Sequence, residues 1–191
     1  MQHPNQKPSY ALGFFVPYRK TPTKEIAVSA AETQLNPANG ASSFYLSFAS
    51  ILDLDQLTPL FNAYRQFYGC ADNIAEARAF LAERLATGDS KIYLARNTNG
   101  ETLAFAQVFA SFSSISLCRS WVLNDLYVQP AYRGQHIGEA LLAQVEKEAR
   151  AAGIGMLTME TGPENVRAHR IYQKMGYVRE MGYLHFVRKL N

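Results

Sequence analysis

Hydrophobic and polar positions fall into a regular phase only after residue 42. From there Ser43 to Ile51 (SFYLSFASI) reads as a strand. Leu57, Leu60, Phe61, Tyr64, Phe67 and Tyr68 then recur at helical spacing. That helix has two candidate starts: Asp53 with Gln56 as a capping box, or Thr58-Pro59 as cap and first helical residue. Asp72 or Asn73 caps a second helix reaching about Thr87, which Gly88 closes. Lys91 to Arg96 and Glu101 to Ser111 make a hairpin around Asn99-Gly100. Ser120 to Val128 is a further strand, ended by Pro130. A long helix from near Gly134 to Ala152 buries Ile137, Leu141, Val145 and Ala149, and Gly153 stops it. Gly155 to Glu160 reads as a strand and Pro163 to Met175 as a helix with Gly176 at its C-terminal end. Strands follow around Tyr177 and from Tyr183 to Lys189.

The order β-α-α-β-β-β-α-β-α-β-β predicts an α/β chain with a central mixed sheet and helices on both faces. Residues 1–40 stand apart: they hold five of the eight prolines and no sustained period, and read as an irregular arm with one short strand at Tyr10 to Val16. Residues 41–191 form the domain.

Composition narrows the class without naming it. At 48% hydrophobic and 18% charged residues the chain is an ordinary globular protein. No apolar run approaches the roughly 18 residues of a membrane span, and Tyr10 to Val16 lacks the flanks of a signal peptide. A cytoplasmic protein with no membrane partner is expected. Cys70 and Cys118 support no disulfide framework, and no Cys/His cluster has metal spacing. A net charge of +3 with dispersed Lys and Arg gives no nucleic-acid stripe.

The segment with chemistry in it is Tyr132-Arg133-Gly134-Gln135-His136-Ile137-Gly138-Glu139. A strand, a glycine-containing loop and a helix start together make an anion site, because loop amides and the helix dipole both favour negative charge. The Walker pattern is excluded, since Gly138-Glu139-Ala140 stands where Gly-Lys-Ser/Thr is needed. The dinucleotide fingerprint is excluded because the glycines are four apart.

What remains, Arg-x-x-His-x-Gly, resembles the Arg/Gln-x-x-Gly-x-Gly/Ala loop of the GNAT superfamily of N-acetyltransferases. Upstream, Asn124-Asp125-Leu126-Tyr127-Val128 resembles that family's central strand. Downstream, Asn165 to Tyr172 resembles its Asn-x-x-Ala-x-x-x-Tyr helix, and Gln173 to Tyr177 its helix end. The resemblance covers about residues 43–190 and is sharp from 120 to 177. It implies a mostly antiparallel twisted sheet and acetyl-CoA as cosubstrate. Backbone amides of Arg133, Gly134, Gln135, His136, Ile137, Gly138 and Glu139 would hold the pyrophosphate. Leu126 and Val128 would run beside the pantetheine arm, and Tyr127 or Val128 would bind the thioester carbonyl. Asn165 would reach pantetheine past a small Ala168.

His136 departs from the family glycine. With a helical backbone it offers only its amide and turns its ring to solvent; the sharper alternative has the imidazole on a phosphate. Glu139 is expected to point away.

Transfer to an amine needs a neutral nucleophile, an oxyanion donor and a proton for the thiolate. The resemblance assigns the proton to Tyr172, which otherwise packs with Ala168, Ile171 and Met175. Asp125 is the candidate base, or a structural acid. Glu160 is the second candidate, and Asn124 stands where diamine acetyltransferases carry glutamate. Tyr64, Phe67, Tyr68 and Trp121 are candidate walls for a cationic amine, with Asp72 as a source of charge. The expected partner is a small-molecule or peptide amine. Protein lysines or N-termini are a second substrate class, and an idle acyl-CoA-binding module is the non-enzymatic alternative. The resemblance also implies a homodimer through the C-terminal strands.

Overall fold

The computed structural model describes residues 44–182 and 184–190. The arm expected over residues 1–40, with its strand at Tyr10 to Val16, lies outside them. Two compact units are present, divided at Glu160/Thr161.

The first unit is a five-stranded sheet with strands in chain order: β1 (Phe44–Phe48), β2 (Ser90–Asn97), β3 (Thr102–Ser113), β4 (Cys118–Val128) and β5 (Met156–Met159). The first three joints are antiparallel and the β4–β5 joint is parallel. A parallel joint needs a crossover, supplied here by α3 (Ile137–Ala151).

Helices α1 (Leu54–Phe67) and α2 (Ile74–Thr87) pack on one face. Their Leu57, Phe61, Ala77 and Leu81 meet Ile92, Leu94, Phe105 and Tyr127 in one buried cluster. Tyr93 points oppositely to its neighbours Ile92 and Leu94, as strand alternation requires. Burial and the nearby Glu148 of α3 push its phenol upward, which places α3 on the other face. The four residues expected to anchor α3, Ile137, Leu141, Val145 and Ala149, are all buried.

Two helix starts differ from expectation. A 3-10 turn at Ile51–Asp53 leads into α1, and the capping box is formed by Ser50 with Asp53. Gln56 instead accepts the Thr102 amide at 2.9 Å. Pro59 therefore lies inside α1 rather than at its start. Helix α3 begins at Ile137, not Gly134, because Gly134 has a φ of +85° and no residue in that region continues a right-handed helix.

The second unit holds α4 (Val166–Lys174). Asn165 caps it, accepting the Ala168 amide at 3.3 Å and donating to the Thr161 hydroxyl at 3.0 Å. Pro163 precedes this cap, so the helix starts three residues later than its sequence pattern predicts. After Gly176 the expected C-terminal strands are absent among the described residues. Apolar alternation marks which residues could line a sheet, but a strand also needs a partner for its backbone groups.

Candidate functional site

The first feature of the site is a fault in the sheet. Gln107 pairs with Asp125 and Val108 with Leu123, so Asn124 is an extra residue on β4. Such a bulge turns side chains across the sheet. Before it, Trp121 and Leu123 share the face of Val108 and Lys91, with the Lys91 ammonium 4.9 Å from the Trp121 ring. After it, Asp125 and Tyr127 join Gln107 and Phe105 on the face carrying α1. Trp121 is thereby removed from the candidate amine wall: it lies on the opposite face from Asp125.

The bulge also marks where β4 and β5 part. Their ladder runs from Ser120↔Met156 to Leu123↔Met159 and stops. From Asp125 to Val128, β4 stays paired to β3 but has no strand partner on its other side among the described residues. An edge of unpaired backbone amides and carbonyls is a template for another extended chain. Leu126, Tyr127 and Val128 lie along it.

Asp125 is 4% exposed. Loss of water around the carboxyl pushes its pKa up to about 6, against hydrogen bonds from Tyr64 and Asn124 that favour the carboxylate. The Tyr64 hydroxyl lies 3.1 Å from the Asn124 carbonyl oxygen. Its ring packs edge-on against Tyr68 (5.1 Å), Phe105 (5.9 Å) and Tyr127 (6.2 Å). Across the ladder, fully buried Gln107 donates from Nε2 to the Ser90 hydroxyl at 2.8 Å. Of the remaining candidates, Phe67 meets Tyr68 edge to face, and Asp72 accepts from Asn62 at 2.7 Å. Glu160 lies beyond β5 and is exposed.

Beyond Val128 the chain makes a 3-10 turn, Pro130–Tyr132, and then the loop Arg133 to His136. The Arg133 Nε donates to the Val128 carbonyl at 3.0 Å. Its guanidinium lies over Tyr127 (5.6 Å) and Phe67 (6.0 Å), tying the loop to the strand end and to α1. Gly138 is buried against β4: a Cβ there would sit 3.7 Å from Val128, an ordinary contact that alanine would also make.

His136 corrects one expectation. Its backbone is left-handed (φ +60°), not helical, which explains why glycine suits the position. The ring is solvent-facing as expected, with 74% of the side chain exposed. Glu139 does not simply point away: its Oε1 lies 3.0 Å from the His136 Nδ1. His136 gives no side-chain cap to α3, whereas Asn73 and Asn165 cap α2 and α4. The first-turn amides of α3 thus face the loop as donors for an anion.

In the second unit, Tyr172 ends one face of α4, its ring 6.0 Å from Tyr177. The Tyr177 amide closes the helix onto the Tyr172 carbonyl at 2.9 Å. Asn165 and Ala168 form the start of that helix, joined by the cap described above.

Sequence reasoning did not identify Gln107, or the tie from the Arg133 side chain. Gln107 left a signal: it is the one polar residue in the apolar run Leu103 to Ala110.

Residues 57–177 match the model of the acetyltransferase (GNAT) family. The uncharacterized N-acetyltransferase YhfO of Bacillus subtilis is 38% identical over 72% of this chain and 92% of its own length. The crystal structure of a probable acetyltransferase, 33% identical, superposes with a TM-score of 0.71 over 76% of this chain and 97% of that one. An aminoglycoside N(6')-acetyltransferase of Stenotrophomonas maltophilia is 33% identical over 51% of this chain, which spans 65% of that protein.

Proposed function

The chain belongs to the GNAT family of acetyltransferases and is an acetyl-CoA-dependent N-acetyltransferase, and from that premise we propose that it acetylates a primary amine of a small molecule, with Asp125 as base. The observation that carries this reading is the buried Asp125 at the β4 bulge, beside the length of β4 that β5 leaves unpaired.

An alkylammonium with a pKa near 10.4 must lose a proton at a cost of roughly 4 to 5 kcal/mol at pH 7. Asp125 accepts that proton. A carboxyl that titrates at about 6 is still ionised at neutral pH, yet is more basic than an ordinary aspartate. The amine lone pair attacks the thioester carbon, and the carbonyl π pair moves to oxygen. The backbone N–H of Val128, on the edge turned away from β3, holds that oxyanion. When the electron pair returns, the C–S bond breaks and the thiolate takes the Tyr172 hydroxyl proton. The proton lost by the new amide nitrogen restores the phenol, and Asp125 releases its own to solvent. Each turnover liberates one proton.

Backbone amides from Arg133 to Glu139 take the pyrophosphate, and Asn165 and Ala168 border the pantetheine arm. What supports these assignments is the uncapped start of α3 and the motif order along the chain. A small amine is favoured over a peptide by the aromatic cluster packed around Tyr64, whose hydroxyl bonds Asp125. The aminoglycoside-acetylating relative points the same way.

Thiol release from acetyl-CoA, measured with kanamycin, 2-aminoethylphosphonate, spermidine and an N-terminal alanine peptide, tests the reading. Activity with at least one of the first three, abolished by Asp125→Asn, is expected. Transfer to the peptide alone overturns the small-molecule assignment, and undiminished activity in the variant overturns the base.

A further inference from the structure

The Tyr64 hydroxyl has one proton to give and two acceptors within reach, the Asn124 carbonyl at 3.1 Å and the Asp125 carboxylate. Both belong to the bulge, and Tyr64 comes to them from α1, 60 residues earlier in the chain. Its ring is held by Phe61, Tyr68, Phe105 and Tyr127, so the hydroxyl can turn about its C–O bond while the heavy atoms stay in place. We infer that Tyr64 is a positioning residue that holds Asp125 in both of its protonation states, by exchanging one hydrogen bond between the carboxylate and the Asn124 carbonyl.

When Asp125 is ionised, the Tyr64 O–H donates to it, because a bond to a charged acceptor is stronger than one to a neutral carbonyl. When Asp125 has taken a proton, its own O–H donates to the Tyr64 oxygen, and the Tyr64 O–H turns to the Asn124 carbonyl. A hydroxyl can donate once and accept at the same time, which no apolar or donor-only side chain could do. Each state keeps every polar hydrogen bonded, and the carboxyl keeps one orientation through the cycle. The groups facing Asp125 are Tyr64 from α1, Asn124 on its own strand and uncharged Gln107 from β3. The Arg133 guanidinium is engaged over Tyr127 and Phe67.

This inference rests on Asp125 being the base, so the test includes a readout that needs no acceptor. The Asp125 carboxyl is followed by carbon-13 NMR titration in the full chain labelled at aspartate, with Asp125→Asn identifying the signal. In Tyr64→Phe the midpoint should rise by about one pH unit, since the bond lost by the charged form is stronger than the one lost by the neutral form. The acid limb of kcat/KM should rise with it, with KM for acetyl-CoA changed less than twofold. Replacing Tyr64 by 3-fluorotyrosine keeps the ring and makes a more acidic donor, so the midpoint should fall; this arm decides the matter if Tyr64→Phe does not fold. A midpoint unmoved by these replacements overturns the role of Tyr64 and leaves the proposed function standing. A midpoint that moves while the acid limb does not overturns Asp125 as the base instead.

Discussion

The Arg133 side chain donates from Nε to the Val128 carbonyl at 3.0 Å, joining the loop before α3 to the last residue of β4. The same guanidinium covers Tyr127 and Phe67. Arg133 thus sets how the loop amides stand relative to the unpaired edge of β4. Removing it with Arg133→Ala should raise KM for acetyl-CoA about tenfold, matching the loss of about 1.4 kcal/mol of binding. Steady-state kinetics check this, with kcat expected to change less than KM.

Asp125 has a stability consequence with a definite sign. The unfolded carboxyl ionises near 3.8 and the folded one near 6, so between those values the folded chain binds more protons. Stability therefore falls as pH rises through that window, by about 3 kcal/mol in total. Asp125→Asn removes this penalty: it should be more stable than the parent at pH 7.5 and about equal to it at pH 3.8. Urea unfolding at the two pH values checks the difference. The same variant should lose activity at least a hundredfold, the low end of general-base effects.

His136 sits in a backbone region that costs an L-residue roughly 1 kcal/mol or more. Glycine relieves that strain but forfeits chain entropy and the Glu139 contact. His136→Gly should leave stability within about 1 kcal/mol of the parent, whereas β-branched His136→Val should lose about 2 kcal/mol. Chemical denaturation measures both, and KM for acetyl-CoA reports whether the loop keeps its shape.

If Tyr172 supplies the thiolate proton, Tyr172→Phe should lower kcat by about a hundredfold or more with KM for acetyl-CoA nearly unchanged. A purely packing role predicts the reverse pattern: reduced thermal stability with kcat retained. The two are separated by kinetics and a melting curve on one variant.

Much of the fold was legible because it follows from local rules. The 3.6-residue recurrence of Ile137, Leu141, Val145 and Ala149 gave α3 its buried face, and Asn73 and Gly88 bounded α2. Helix starts were less legible where a polar side chain had two partners to choose from. Gln56 is suited to a capping box, yet it bonds the Thr102 amide from a strand 46 residues away. The alternation in the last residues predicts strands, but no pairing accompanies it among the described residues.

The sequence by itself determined the buried face of α3, the ends of α2 and the hairpin that joins β2 to β3. These depend on residues within a few positions of one another, whose spacing is written in the chain. Tertiary structure alone decided that Asn124 is the bulged residue, that Asp125 and not Trp121 faces α1, and that Asp125 is stripped of water. A bulge is a mismatch in register between two strands, so neither strand encodes it alone. The titration of a carboxyl is set by what surrounds it. At Asp125 those surroundings are Tyr64 and Gln107, brought from α1 and β3 by the packing of the sheet.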